Sequence, residues 1–176
     1  MTLTEHLLHI QTAALRAVNP QPAVKRALCC EGNLLRVVEQ TWDLDAVERL
    51  LLVAAGKASV AMAEAAAPIL GAALTAGIVV TKYGHAAGHT LPASVRVIEA
   101  GHPIPDAAGM MGAAAIAALL ETTTPRDRVL LLLSDGASAL LPAPAAGIAL
   151  ADLQAVTDAL LRAGATIGEI NAVRKH

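Results

Sequence analysis

Val129-Leu130-Leu131-Leu132-Leu133-Ser134-Asp135-Gly136-Ala137-Ser138 is the stretch whose reading decides the fold. Five branched apolar residues in a row read as a strand buried on both faces. A loop of small polar residues follows at once, with two hydroxyls, a glycine and little bulk. An open parallel α/β sheet presents a ligand-binding turn in this way, just beyond the carboxyl end of a strand.

The same arrangement recurs upstream. A strand over 49–54 runs into Gly56-Lys57-Ala58-Ser59, which opens a helix to about residue 67. A strand over 77–81 runs into Lys82-Tyr83-Gly84-His85. A strand over 95–98 runs into Glu99-Ala100-Gly101-His102-Pro103-Ile104-Pro105-Asp106, which feeds an Ala-rich helix to about residue 120. Alternating strands and helices with short connections predict an α/β fold, a parallel sheet with helices on both faces. Before it, a helix capped by Thr2 or Thr4 reaches about residue 18, a second short helix covers 22–30, residues 31–33 turn, and 34–39 form a strand. After it come helices over 150–162 and 167–175, separated by Gly164. No internal repeat interrupts this pattern, and 176 residues suit a single α/β domain over 1–176.

Composition narrows the function. The chain is 55% hydrophobic with a mean hydropathy of +0.55, yet it has no Phe, one Trp and one Tyr. The core must therefore be built from many small Ala, Leu and Val contacts. The longest uncharged run, 65–81, contains Pro68, Gly71 and Gly77 and reads as helix, turn and strand, short of the ~20 apolar residues a membrane span needs. The formal net charge is −2, and the scarcity of aromatics removes stacking platforms, so nothing points to nucleic acid. No basic stretch precedes an apolar run at the N-terminus, and the two cysteines, Cys29 and Cys30, are adjacent, which offers no disulfide framework. Both observations lead us to expect a cytoplasmic protein.

Collected along one sheet edge, the post-strand loops bring Lys57, Lys82, His85, Glu99, His102, Ser134, Asp135, Gly136 and Ser138 into one crevice. Lys57 also stands at a helix N-terminus, where backbone N–H groups favour an anion. Cations, hydroxyls and carboxylates in this mixture suit a phosphorylated ligand or phosphoryl transfer. Each element has a plainer reading. Gly56-Lys57 also reads as a tight turn with a solvated lysine, and His102-Pro103 as a rigid loop. Residues 134–138 also read as a nest for the next helix, and Arg174-Lys175 as a basic helix end. Several familiar motifs are missing. A phosphate loop of the Walker type would need Gly at 51 and Ser or Thr at 58, where the chain has Leu51 and Ala58. No Gly-x-Gly-x-x-Gly follows a strand, no Cys/His set has zinc spacing, and Leu140 stands where a Gly-x-Ser-x-Gly elbow would need its second glycine.

Five segments in order resemble one family. They are Ala54-Ala55-Gly56-Lys57-Ala58, Gly77-Ile78-Val79-Val80-Thr81-Lys82, the segment from Glu99 to Asp106, Leu133-Ser134-Asp135-Gly136-Ala137-Ser138-Ala139-Leu140-Leu141, and the segment from Leu161 through Asn171 and Arg174 to His176. This set is similar to the N-terminal domain of the glycerate 2-kinases, the MOFRL-type glycerate kinases, whose members are often named hydroxypyruvate reductases. The resemblance implies ATP-dependent phosphorylation of D-glycerate to 2-phosphoglycerate with Mg2+ or another divalent metal. It implies a cleft between a Rossmann-like N-terminal domain and a second, C-terminal domain. The family's active-site lysine corresponds to Lys57 and its phosphate or substrate loop to residues 134–138. Its cleft asparagine and arginine correspond to Asn171 and Arg174, with Arg174 as a second catalytic cation. Glu99 and His102 would shape the pocket or take part in proton transfer. Two departures stand out. Asp135 occupies a position where many members carry glycine, and the sequence stops at His176, inside an expected helix, where the family continues into its second domain. The rival expectations are an NAD(P)H-dependent hydroxypyruvate reductase and a non-catalytic ligand-binding domain. Homo-oligomeric assembly stays open.

Overall fold

The computed structural model describes residues 2–175, so the expected helix end at His176 lies outside the described residues. The chain opens with helix α1 (Leu3–Ala17), for which Thr2 and Glu5 form a capping box: the Glu5 N–H donates to Thr2 Oγ1 and the Thr2 N–H donates to Glu5 Oε2. Helix α2 (Pro20–Ala27) starts where the sequence expectation ended a helix. Asn19 Oδ1 accepts the Gln21 N–H, and Pro20 sits at the first helical position, where its missing donor costs nothing.

The expected helix over 22–30 does not extend that far. It gives way to strand β1 (Leu28–Glu31), which pairs antiparallel with β2 (Leu34–Val37); β2 in turn pairs with β3 (Gln40–Asp43). The reason is the turn at Gly32-Asn33, where Gly32 has φ +60 and lets the chain double back, so that Cys30 faces Leu35 and β-sheet pairing outcompetes a third helical turn.

The main sheet follows. Strand β4 (Leu50–Ala55) leads through α3 (Ser59–Leu70) to β5 (Leu74–Lys82) and then to β6 (Val95–Ala100). From there α4 (Ala107–Glu121) crosses back to β7 (Arg128–Leu133). All pairings are parallel and the order is β6-β5-β4-β7. The short helix α5 (Ala137–Leu140), then α6 (Leu150–Arg162) and α7 (Ile167–Lys175), follow in the remaining described residues.

The doubly buried strand is β4, with all six residues buried, rather than β7 as the leucine run predicts. β7 is an edge strand; Leu131 and Leu133 are 53% and 56% exposed. An unbroken leucine run carries no alternation, so it cannot distinguish a central strand from an edge strand. Each face of the sheet has its own core. On one, Leu52, Ala54 and Val79 pack with Val60, Ala63 and Ala67 of α3, and α2 and the β1–β3 hairpins close over that side. On the other, Val53, Ile78, Val80 and Ile98 pack with Ile116 of α4 and Leu140 of α5. Alanine-rich helices let the backbone approach the sheet closely, which is how a chain almost without aromatics fills its interior.

At the amino-terminal end of the sheet a polar clamp ties three segments together. Arg49 Nε and Nη2 donate to the Asp127 carboxylate at 3.2 and 2.7 Å, and Nη2 also donates to the Thr122 carbonyl. Asp127 also accepts the Thr124 N–H, and its side chain is 1% exposed. The Arg49 hydrogen bonds hold the Asp127 carboxyl at a pKa of about 2, below its ordinary 3.8. A carboxyl depressed by folding adds stability that is complete above pH 3.8 and is lost as pH falls toward about 2. Asp127→Asn is therefore expected to lower the melting temperature by several degrees at pH 7. Wild type and variant should converge in thermal melts as pH falls through that window.

Candidate functional site

The chain passes from β4 outward to β6 and then returns to β7 on the other side of β4. The sheet's topological switch point is therefore at the carboxyl ends of β4 and β7, the place where open α/β sheets bind ligands. The loop after β4, residues 56–58, lies directly against the loop after β7. Ser134 Oγ accepts the Ala58 N–H at 3.0 Å, and the Lys57 N–H donates to the Asp135 carbonyl at 2.9 Å. Gly56 has φ +121, and a Cβ there would lie 2.5 Å from the Ser134 carbonyl oxygen, so this crossing needs glycine on both steric and conformational grounds. Beneath it, the buried Thr81 hydroxyl donates to the Gly56 carbonyl and the buried Ser59 hydroxyl to the Val80 carbonyl.

Side chains meet above this crossing. Lys57 Nζ lies 2.6 Å from Asp135 Oδ2; the lysine side chain is 37% exposed and the aspartate 82%. Gly136, at φ +88, passes so close to His102 that a Cβ would fall 2.9 Å from the imidazole Cδ2 and 3.3 Å from Lys57 Cε. Arg174 reaches over from α7, with Nη1 donating to Ser138 Oγ at 3.3 Å and Nη2 to the Pro103 carbonyl at 3.0 Å. Behind Arg174 lies a cavity of about 440 Å³, lined among others by Ser138, Pro142, Leu153, Thr157 and Asn171.

The structure therefore brings Lys57, His102, Asp135, Gly136, Ser138 and Arg174 together, with Asn171 on the adjoining cavity wall. Ser134 serves the loop crossing through its hydroxyl. Glu99 is occupied elsewhere: Oε1 accepts the Ala86 N–H and anchors the 83–94 loop. Two contacts escaped the sequence reading, although His85 itself was expected at this edge. His85 Nδ1 lies 2.9 Å from the Lys57 carbonyl. The Tyr83 hydroxyl donates to Asp106 Oδ2 at 2.7 Å, while Asp106 Oδ1 caps α4 at Gly109. The aspartate was detectable as an N-cap before the Ala-rich helix; its tyrosine partner was not.

Burial, followed by the charge of Lys57, pulls the His102 pKa below its ordinary 6.5; Lys82 and Arg174 pull the same way and Asp135 opposes them. The ring is therefore neutral at pH 7, when it can accept a proton. Lys57→Met should let this pKa rise, because the largest charge opposing the imidazolium is gone. An NMR titration of the His102 ring protons in both proteins measures the shift, and an unchanged or lower midpoint in the variant would contradict the geometry.

A model of the family described as a domain of unknown function, DUF4147, matches residues 6–176. The chain belongs to the DUF4147 family. Among relatives of this DUF4147 chain, the D-glycerate 2-kinase of Thermotoga maritima is 43% identical over 141 residues, 80% of this chain and 33% of that protein. An Agrobacterium vitis protein with the provisional name hydroxypyruvate reductase is 47% identical over 129 residues, 73% of this chain and 32% of its own length. A crystal structure of a Pyrococcus horikoshii OT3 protein superposes with a TM-score of 0.81 at 39% identity, covering 100% of this chain and 39% of that one. The DUF4147 chain thus spans about a third of the length of the relatives it matches, and the resemblance carried by its five motifs is borne out.

Proposed function

We propose that this chain supplies the N-terminal wall of a glycerate 2-kinase cleft, where a phosphoryl group passes from ATP to the 2-hydroxyl of D-glycerate. The observation that carries the reading is the convergence of Lys57, Arg174 and the neutral His102 on residues 134–138 at the switch point. A second, C-terminal domain closes the cleft. A cytoplasmic setting goes with two free, adjacent cysteines.

Phosphoryl transfer asks chiefly for positioning and for cations where negative charge develops. Lys57, raised on the Gly56 turn, supplies a point charge to carboxylate or phosphoryl oxygens. Arg174 supplies a planar fork, already oriented by Ser138 and the Pro103 carbonyl. The backbone of residues 134–138 shapes the cradle, and the cavity beside Asn171 gives room for the remainder of a substrate. His102 takes the proton of the 2-hydroxyl as the oxygen attacks. The divalent metal is a different matter: among the described residues no group of three or more His, Cys, Asp or Glu could hold one. A Mg2+ delivered with ATP would thus take its ligands from the phosphates, from water and from groups other than a cluster in these residues.

Coupled assays decide the reading. The complete polypeptide should release ADP when given ATP and D-glycerate, and should not oxidise NADH in the presence of hydroxypyruvate. NADH oxidation without ADP release would favour the reductase. Binding of ATP and glycerate with neither reaction would favour a binding domain.

A further inference from the structure

The Lys57 ammonium is not bare. Its partner at 2.6 Å is a carboxylate in the same place an anionic ligand would occupy. Architecture does not require that carboxylate. What joins the loops at this residue is the Asp135 backbone carbonyl accepting the Lys57 N–H, which any amino acid provides. The Asp135 side chain is 82% exposed, and an exposed ion pair contributes little to stability. The charges acting on His102 come from Lys57, Lys82 and Arg174 on one side and Asp135 on the other, so Asp135 offsets one of three cations at the cleft.

Building on the phosphoryl-transfer reading, we propose that the Asp135 carboxylate is the built-in counter-ion of Lys57. A ligand anion must displace it, and its charge makes the subsite prefer a monoanionic carboxylate to a dianionic phosphate. Carboxylate and phosphate oxygens compete for the same ammonium hydrogens. On displacement Asp135 swings into solvent but stays tethered one residue before Gly136, close enough to repel whatever replaces it. The repulsion on a dianion is twice that on a monoanion, so Asp135 assigns Lys57 to the glycerate carboxylate and leaves the phosphate groups to Arg174 and the cavity side.

The test is an NMR-monitored titration of this chain with D-glycerate and, separately, with inorganic phosphate, for wild type, Asp135→Asn, Asp135→Gly and Lys57→Met. Amide spectra confirm that each variant folds. Both Asp135 variants should bind D-glycerate about fivefold more tightly, the scale of two unit charges 4 Å apart in water, and phosphate by a larger factor. If the Asp135 variants leave the phosphate-to-glycerate ratio unchanged, or weaken either ligand, the counter-ion role is overturned. If Lys57→Met still weakens binding in that case, the site reading survives. If no substitution, Lys57→Met included, alters binding of either anion, the site reading fails as well.

Discussion

Lys57→Met in the complete polypeptide should lower kcat/KM about 10²-fold or more, the loss seen when one preorganised electrostatic donor is removed from an active site. The lysine sits where β4 ends and α3 begins. Its carbonyl is engaged by His85 and its N–H by the Asp135 carbonyl, so the backbone holds it without help from its charge. Methionine keeps most of the stem and removes only the ammonium. Stability should hardly change, because the charged end is partly exposed and its partner more so. The split between kinetic constants separates two uses of the charge. Loss of turnover at constant KM places the ammonium on the transferring phosphoryl group; a raised KM with turnover retained places it on the glycerate carboxylate. The counter-ion inference favours the second pattern. Unchanged kinetics would remove Lys57 from the site altogether.

Gly56→Ala should be more damaging, because it strikes fold and site together. The added methyl would overlap Ser134, and φ +121 lies outside what an alanine adopts. Relief requires the β4 and β7 loops to part, which breaks the Ala58 N–H to Ser134 Oγ bond and the Lys57 N–H to Asp135 carbonyl bond. Overpacking of this kind costs about 1–3 kcal/mol, to which the backbone strain adds. A displacement of about 1 Å in Lys57 is enough to cost about 10²-fold in rate. Thermal melts and kinetics on the same preparation check both effects. A variant with wild-type melting temperature and turnover would show that the loops do not cross as described.

The βα alternation from residue 49 to residue 133 was legible because each strand is short, apolar and ended by a small-residue loop, and each helix by contrast is rich in alanine. The same stretch placed Lys57, His102 and residues 134–138 after strands, and a parallel sheet puts all such loops on one edge. In the β1–β3 hairpins the turn at 31–33 and the strand from 34 were legible, but β1 was not: Lys25 to Cys30 carries acceptable helix formers, and the choice of strand depends on pairing with Leu34–Val37, a partner that local propensity does not see. Glu99 looked like a pocket carboxylate because it follows the strand expected over 95–98, but it lies within β6 and its bond to Ala86 is set by the path of the 83–94 loop.

By itself, then, the order of residues determined the α/β class, the polarity of the sheet and the edge at which chemistry gathers, because these follow from periodicity, chain direction and the short-range chemistry of glycine and proline. It also determined the family, through five motifs that keep their order. Tertiary structure alone decided that β4 is central and β7 an edge strand, that the switch point falls between them, and that Asp135 closes on Lys57 while Arg174 reaches Ser138 from 36 residues downstream. Those are contacts between segments distant in sequence. Their geometry comes from how two cores, one on each face of the sheet, pack against it, and no local pattern encodes that.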